Sequence, residues 1–194
     1  MTETSFWADE AAAPRLAPMH LAGADGRAVR SDEWGAKALR APDAVSGGGG
    51  LISSAADYQR FATMLLAGGE LDGARILSPH TLRLMASNHL PGGADLEAFG
   101  RPLFAETTFH GTGFGFGFSV VIDPAATCSA AQFGELAWGG AASTSFWVDP
   151  AEGVTGMLFT QLLPSSTHPL RSQMRQLTYQ ALGDPPTHPR RERR

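Results

Sequence analysis

The chain has 194 residues, with 15 Lys and Arg against 19 Asp and Glu, a net charge of −4 and 43% hydrophobic residues. These values fit one globular domain, or one with a small appendage, that can bury a core. They leave no basic face for nucleic acid or an anionic membrane surface, and no apolar run approaches the roughly 20 residues needed to span a bilayer. The acidic start MTETSFWADE lacks the apolar core of a signal peptide. A single cysteine, Cys128, forbids an internal disulfide and fits a reducing compartment. The expected location is therefore cytoplasmic, with any native leader lying upstream of Met1.

Residues 1–45 are rich in Ala and Pro with weak periodicity, and are expected to be irregular, wrapping structure. Ser54 with Asp57 three residues on predicts a capping box. Tyr58, Phe61 and Leu65 then recur at helical spacing until Gly68-Gly69 stops the helix. Asp72-Gly73 is a turn. Ser78-Pro79 opens a short helix running to about Ser87. Residues 88–112 read as a long loop, the length of a lid or site wall.

From 113 the period changes to two. GFGFGFSVVID predicts one strand with Phe114, Phe116, Phe118, Val120 and Ile122 on one face. Its other face, with Gly115, Gly117 and Ser119, is nearly bare, so something must pack close to it. A second strand is expected over roughly 135–148. Asp149-Pro150 and Gly153 turn the chain into a third, antiparallel strand, VTGMLFTQLL. Leu170, Met174, Leu177 and Ala181 place an apolar stripe on a final covering helix, ended by Gly183 and Pro185. The tail PPTHPRRERR reads as disordered. The fold class is α+β, an antiparallel sheet flanked by helices. Residues 1–112 supply helices and loops, 113–183 the sheet and last helix, and 184–194 a basic tail.

The six histidines, at 20, 80, 89, 110, 168 and 188, show no metal-ligand spacing, so no metal is expected. SGGGGL has no G-K-[ST] and no preceding strand, which makes it a turn or close-packing loop, not a phosphate loop; no cofactor is expected. Cys128 has no charged neighbour to activate it, and there is no G-x-S-x-G elbow. One stretch resists a bland reading. LAWGGAASTSFWVDP, residues 136–150, carries Trp138 and Trp147, yet Gly139 to Ala142 between them has almost no side chain. Such a gap exposes backbone N–H groups of the kind an oxyanion hole requires. Close strand–helix packing explains the glycines equally well. The residues alone leave both causes open.

Four segments in order, GGGGLISSAADYQRFATMLLAGGELDGARILSPHTLRLMASNHLP, GFGFGFSVVID, WGGAASTSFWVDP and PSSTHPLRSQMRQLTYQAL, resemble the serine β-lactamase-like superfamily. The likeness is to its class C-related carboxylesterases, often called family VIII, and runs from MTETSFW to about Leu182. It implies a β-lactamase/transpeptidase-like fold and hydrolysis of a small-molecule ester or β-lactam through an acyl-serine. Family sites are lined by S-x-x-K, a tyrosine motif Y-x-[NS], and a strand motif K-T-G, H-x-G or W-G-G. By resemblance Trp138 takes the place of that motif's Lys or His, Gly139 and Gly140 follow as substrate-binding residues, and the Ala141 N–H is one oxyanion donor.

The other motifs are not in this sequence. Lys37 is the only lysine and Trp34 stands three residues before it, so no S-x-x-K exists. Tyr58 and Tyr179 lie in DYQR and TYQA, neither of which is Y-x-[NS], and Ser143 stands where relatives often carry glycine. MTETSF resembles a mid-chain segment of these enzymes. The expectation is thus the C-terminal portion of a serine hydrolase, inactive alone because nucleophile, base and tyrosine are absent. The alternative is a non-catalytic binding or interaction module that uses the inherited cleft. Without the covering elements of the family fold, an apolar face or unpaired edge near the Phe-rich strand should drive self-association.

Overall fold

A computed structural model describes residues 1–100 and 108–183. The expected disordered tail and part of the expected 88–112 loop lie outside the described residues.

The first 45 residues hold more regular structure than expected: a hairpin of β1 (His20–Ala22) and β2 (Ala28–Arg30), then a short helix α1 (Asp32–Ala38). Strands of three residues are too short to show a period, so only the Asp25-Gly26 turn signals them. The remainder does wrap. Glu3 N–H and Thr4 Oγ1 donate to Asp57 Oδ2 at 2.7 and 2.9 Å, and Ser5 pairs with Ile52. This alters the capping box expected at α2 (Ala55–Leu66). Ser54 Oγ accepts from the Asp57 N–H at 3.2 Å, but the Asp57 carboxylate pins the N-terminal segment onto the helix.

β3 (Glu70–Leu71) and β4 (Ala74–Arg75) form a hairpin over Asp72-Gly73, both at positive φ. Helix α3 (Pro79–Met85) is capped by Ser78 Oγ, which accepts from the Thr81 N–H at 3.0 Å. Within the expected loop sits the one-turn helix α4 (Leu96–Phe99), capped by Asp95.

The main sheet has five strands where three were expected: β5 (Thr112–Phe114), β6 (Ser119–Val121), then, after the short helix α5 (Pro124–Thr127), β7 (Leu136–Gly139), β8 (Ser145–Asp149) and β9 (Val154–Leu158). They lie in sequence order and every pairing is antiparallel. GFGFGFSVVID is therefore a hairpin, with Gly117 at φ 97° and the Gly115 N–H bonded to Phe118 O at 2.9 Å. An alternating Gly-Phe string satisfies the period of a strand and the turn chemistry of a hairpin together, and tertiary pairing selects the hairpin. Phe118 is buried whereas Phe116 sits exposed at the tip, stacked on His89 with centroids 4.0 Å apart. Something does pack against its bare face: a Cβ on Gly115 would lie 2.0 Å from Met85 O, and one on Gly113 2.4 Å from the Asn88 side chain. The expected second strand is likewise two, β7 and β8, folded about residues 140–144 with Trp138 opposite Phe146 and Gly139 opposite Ser145.

Alternation along β7 and β8 gives the sheet two unlike faces. Leu136, Phe146 and Val148 join Phe118 and Val120 in an apolar core beneath α2 and α3, with Ala62, Met64, Leu65 and Leu82. Tyr58 of α2 sits edge-on to Phe61, Phe146 and Phe159. The opposite face carries Trp147, whose indole crosses Gly156 of β9 so closely that a Cβ there would lie 2.1 Å from the ring. After β9, β10 (Leu162–Leu163) pairs in parallel with β1, and α6 (Leu170–Leu182) ends the described chain.

Helix α6 does not present the expected face to the sheet. Met174 and Leu177 of the apolar stripe are exposed, at 37% and 62%, and no residue of the helix is fully buried. Arg171, Arg175 and Tyr179, at i, i+4 and i+8, are half-buried and reach the sheet instead. Two carboxylates explain the rotation. Glu135 and Asp149 are 1% and 0% exposed, and a buried charge left unpaired costs more than an exposed leucine.

Candidate active-site wall

The W-G-G segment supplies the last two residues of β7 and the start of the β7–β8 connection. Trp138 is held by aromatic contacts, edge-on to Phe114 at 4.8 Å and stacked with Phe109 at 6.3 Å, and is 40% exposed. Phe109 brings the end of the expected 88–112 loop against this tryptophan. The connection closes tightly: Gly140 N–H donates to Thr144 O at 3.0 Å and Ser143 N–H donates to Gly140 O at 3.1 Å. Ser143 sits at φ 67°, the left-handed region that explains a preference for glycine there. Its hydroxyl donates to Leu162 O at 2.8 Å, and Ala142 O accepts from Leu162 N–H at 3.1 Å, which locks the connection to β10.

Two different neighbours account for the bare side of this strand. A Cβ on Gly139 would lie 2.7 Å from Thr144 O and 2.8 Å from Cζ of Arg171. One on Gly140 would lie 2.5 Å from Thr144 Oγ1. Arg171 Nη2 donates to Gly140 O at 2.5 Å, so that carbonyl receives both a charged donor and the Ser143 N–H. Gly140–Ala141 is a trans peptide, so the Ala141 N–H points away from both of those donors. Among the described residues nothing accepts from it. Ala141, with Leu21, Ala22, Leu163 and Pro164, lines an open, apolar depression of about 330 Å³.

Beneath this wall lies a buried polar clasp. Arg175 Nη1 donates to Glu135 Oε1, and its guanidinium carbon stands 5.1 Å from the Trp147 ring centroid. The Tyr179 hydroxyl faces Asp149 Oδ2 at 2.6 Å and Glu135 Oε2 at 3.0 Å, one hydrogen between two carboxylates. Asp149 Oδ1 also accepts from the N–H groups of Ala151 and Glu152 at 2.9 and 3.1 Å. Burial raises the Glu135 carboxyl above its usual range, outweighing the opposing pull of Arg175. The Tyr179 phenol is pushed far up, by burial first and then by its bonds to the carboxylates. Tyr58 is raised by burial among its aromatic neighbours.

Lys37 lies on exposed α1 beside Glu33, and the two tyrosines belong to the apolar core and to the clasp. Arg171, Arg175, Glu135 and Asp149 were not singled out from sequence. The i, i+4, i+8 spacing of 171, 175 and 179 is the one signal for them in the sequence, and it lies beside the more conspicuous apolar stripe. Among the described residues no His, Cys, Asp and Glu side chains gather as a metal site, and no helix is long and apolar enough to cross a membrane.

The antiparallel sheet with helices on both faces fits the β-lactamase/transpeptidase-like fold. The Beta-lactamase family profile matches residues 1–180, and the chain belongs to that family. It is 35% identical over 168 residues to Protein Rv1367c of Mycobacterium tuberculosis (strain H37Rv) and to Uncharacterized protein MT1414 of the CDC 1551 strain, covering 84% of this chain. It spans only 40% of those relatives' length. Among solved structures, EstCE1, a hydrolase with promiscuous acyltransferase activity, superposes with a TM-score of 0.68 at 23% identity, over 89% of this chain and 45% of that one. Simvastatin synthase (LovD) from Aspergillus terreus gives 0.70 at 21% identity, over 93% and 47%. A penicillin-binding protein homologue from Caulobacter crescentus gives 0.53 at 16%, over 68% and 33%. At these identities the structural likeness shows the fold.

Proposed function

We propose that this chain is the portion of a carboxylesterase- or β-lactamase-type serine hydrolase that supplies the W-G-G strand and one wall of the oxyanion hole. In the active assembly, a segment outside this chain brings the serine and its base. The substrate carbonyl of an ester or β-lactam then lies against the Ala141 N–H, with Trp138 walling the site and Gly139 and Gly140 lending backbone. The observation that carries this reading is the Ala141 N–H, unpartnered among the described residues and beside an apolar depression. Without an S-x-x-K, an oxyanion donor has no attacking group to assist. The chain alone should therefore leave p-nitrophenyl butyrate and nitrocefin at the buffer rate; saturable turnover of either refutes the reading.

A second reading has its own support. Met174 and Leu177 of the stripe, and Leu182 beside it, stand exposed on α6, and β9 is an outer strand of the sheet. Both suit a module that works by association. The same surfaces serve the first reading, as seats for the completing segment or a second copy.

A further inference from the structure

We propose that Arg171 is a positioning residue for the oxyanion-binding peptide: its guanidinium, bound to the Gly140 carbonyl, fixes the Gly140–Ala141 peptide plane and polarises the Ala141 N–H. This rests on the reading above, which makes that N–H an oxyanion donor. The carbonyl and the N–H belong to one peptide unit, with Arg171 Nη2 on its oxygen at 2.5 Å. A cation on the oxygen draws electron density along the amide and makes the N–H a stronger donor. A charge-assisted bond is roughly twice as strong as a neutral one. Because the peptide is trans, the guanidinium acts on the oxygen side, opposite the N–H.

Three features of the chain converge on this contact. Gly139 has no Cβ where one would lie 2.8 Å from the guanidinium carbon, so the first glycine of W-G-G is the passage through which the arginine reaches the next peptide. The Ser143 N–H fills the remaining acceptor position on Gly140 O, which stops the carbonyl from turning. Arg171 itself is held along α6 by Arg175 and Tyr179, one and two turns on, both anchored to buried Glu135 and Asp149. The clasp thus aims the arginine, and the arginine aims the N–H. A lysine would keep the charge but lose the planar fork that shares itself between the carbonyl and its surroundings.

The test is the Ala141 amide in ¹⁵N-labelled protein, measured in wild type, R171Q and R171K. In R171Q the Ala141 proton resonance should move upfield and its base-catalysed solvent exchange should slow by about tenfold, one pKa unit of N–H acidity. Thr63 and Leu65 amides of α2 should keep their wild-type shifts. R171K should fall between the two, a graded response to charge that a purely structural contact does not give. Ala141 shift and exchange unchanged in R171Q overturn the proposal, as does equal displacement of amides across the whole sheet. Should R171Q fail to fold, R171K against wild type decides alone: an unchanged Ala141 amide overturns it. The readout needs neither turnover nor serine labelling, so it fails separately from the functional reading, which falls on activity or an activated serine in the lone chain.

Discussion

Replacing Tyr179 with phenylalanine removes one oxygen from the buried clasp and leaves its packing volume nearly intact. That hydroxyl lies 2.6 Å from Asp149 Oδ2 and 3.0 Å from Glu135 Oε2. Asp149 keeps two N–H donors on Oδ1 and Glu135 keeps Arg175, but Asp149 Oδ2 loses its only donor among the described residues. A hydrogen bond to a charged group contributes about 1.5–3 kcal/mol, and a buried acceptor left unmet puts the loss toward the upper end. We expect Tyr179→Phe to cost about 2–3 kcal/mol. With a urea m-value of about 2 kcal/mol/M, the unfolding midpoint should drop by about 1–1.5 M at unchanged slope. The effect must shrink when Asp149 is already Asn, because the two residues share one interaction. A midpoint within about 0.25 M of wild type, or full additivity in the double variant, would refute the clasp as the anchor of α6.

Other consequences are open to measurement. Gly139→Ala drives a methyl into Arg171 and Thr144 O; overpacking of this kind costs about 1–3 kcal/mol, and calorimetry should show a lowered Tm with the Ala141 amide shifted as in R171Q. Glu135 is raised above its ordinary 4.5 by burial, so the folded chain holds its proton more tightly than the unfolded one. Stability from this group is complete below pH 4.5 and falls as pH rises through the raised value. The stability difference between wild type and Glu135→Gln should therefore move against wild type as pH climbs from about 4 to 8; a difference that is flat, or that favours wild type at high pH, contradicts the assignment. Association through the exposed stripe of α6 should make the apparent mass concentration-dependent in sedimentation. Leu177→Glu should return it toward monomer, whereas a wild-type monomer at every concentration counts against that surface.

The helices that pack beneath the sheet were legible because their ends are written locally: Ser54 and Ser78 as caps, Gly68-Gly69 as a stop. The sheet was half legible. Segments of the five-stranded sheet were placed, but the third strand expected over VTGMLFTQLL ends at Leu158, with Leu162–Leu163 pairing β1 in another sheet. The turns inside GFGFGFSVVID and LAWGGAASTSFWVDP use Gly and Ser, which do not break a period of two. The face of α6 was read the wrong way round, since Glu135 and Asp149 resemble ordinary turn residues until the β7–β8 register places them side by side under one helix. At the site, the sequence offered two causes for the small residues, and close packing is the one that the contacts display. Packing by Arg171 and Thr144 accounts for Gly139 and Gly140. Ala141 lines the depression, its N–H has no acceptor among the described residues, and on the proposed function that N–H is the oxyanion donor.

On the proposed function, this chain carries an oxyanion donor and no activated serine. Intact mass spectrometry after incubation with a fluorophosphonate tests it most directly, because the reagent marks an activated serine whatever the natural substrate is. An unshifted mass is expected. A stoichiometric adduct on any serine of this chain, abolished by prior heat unfolding, would contradict it.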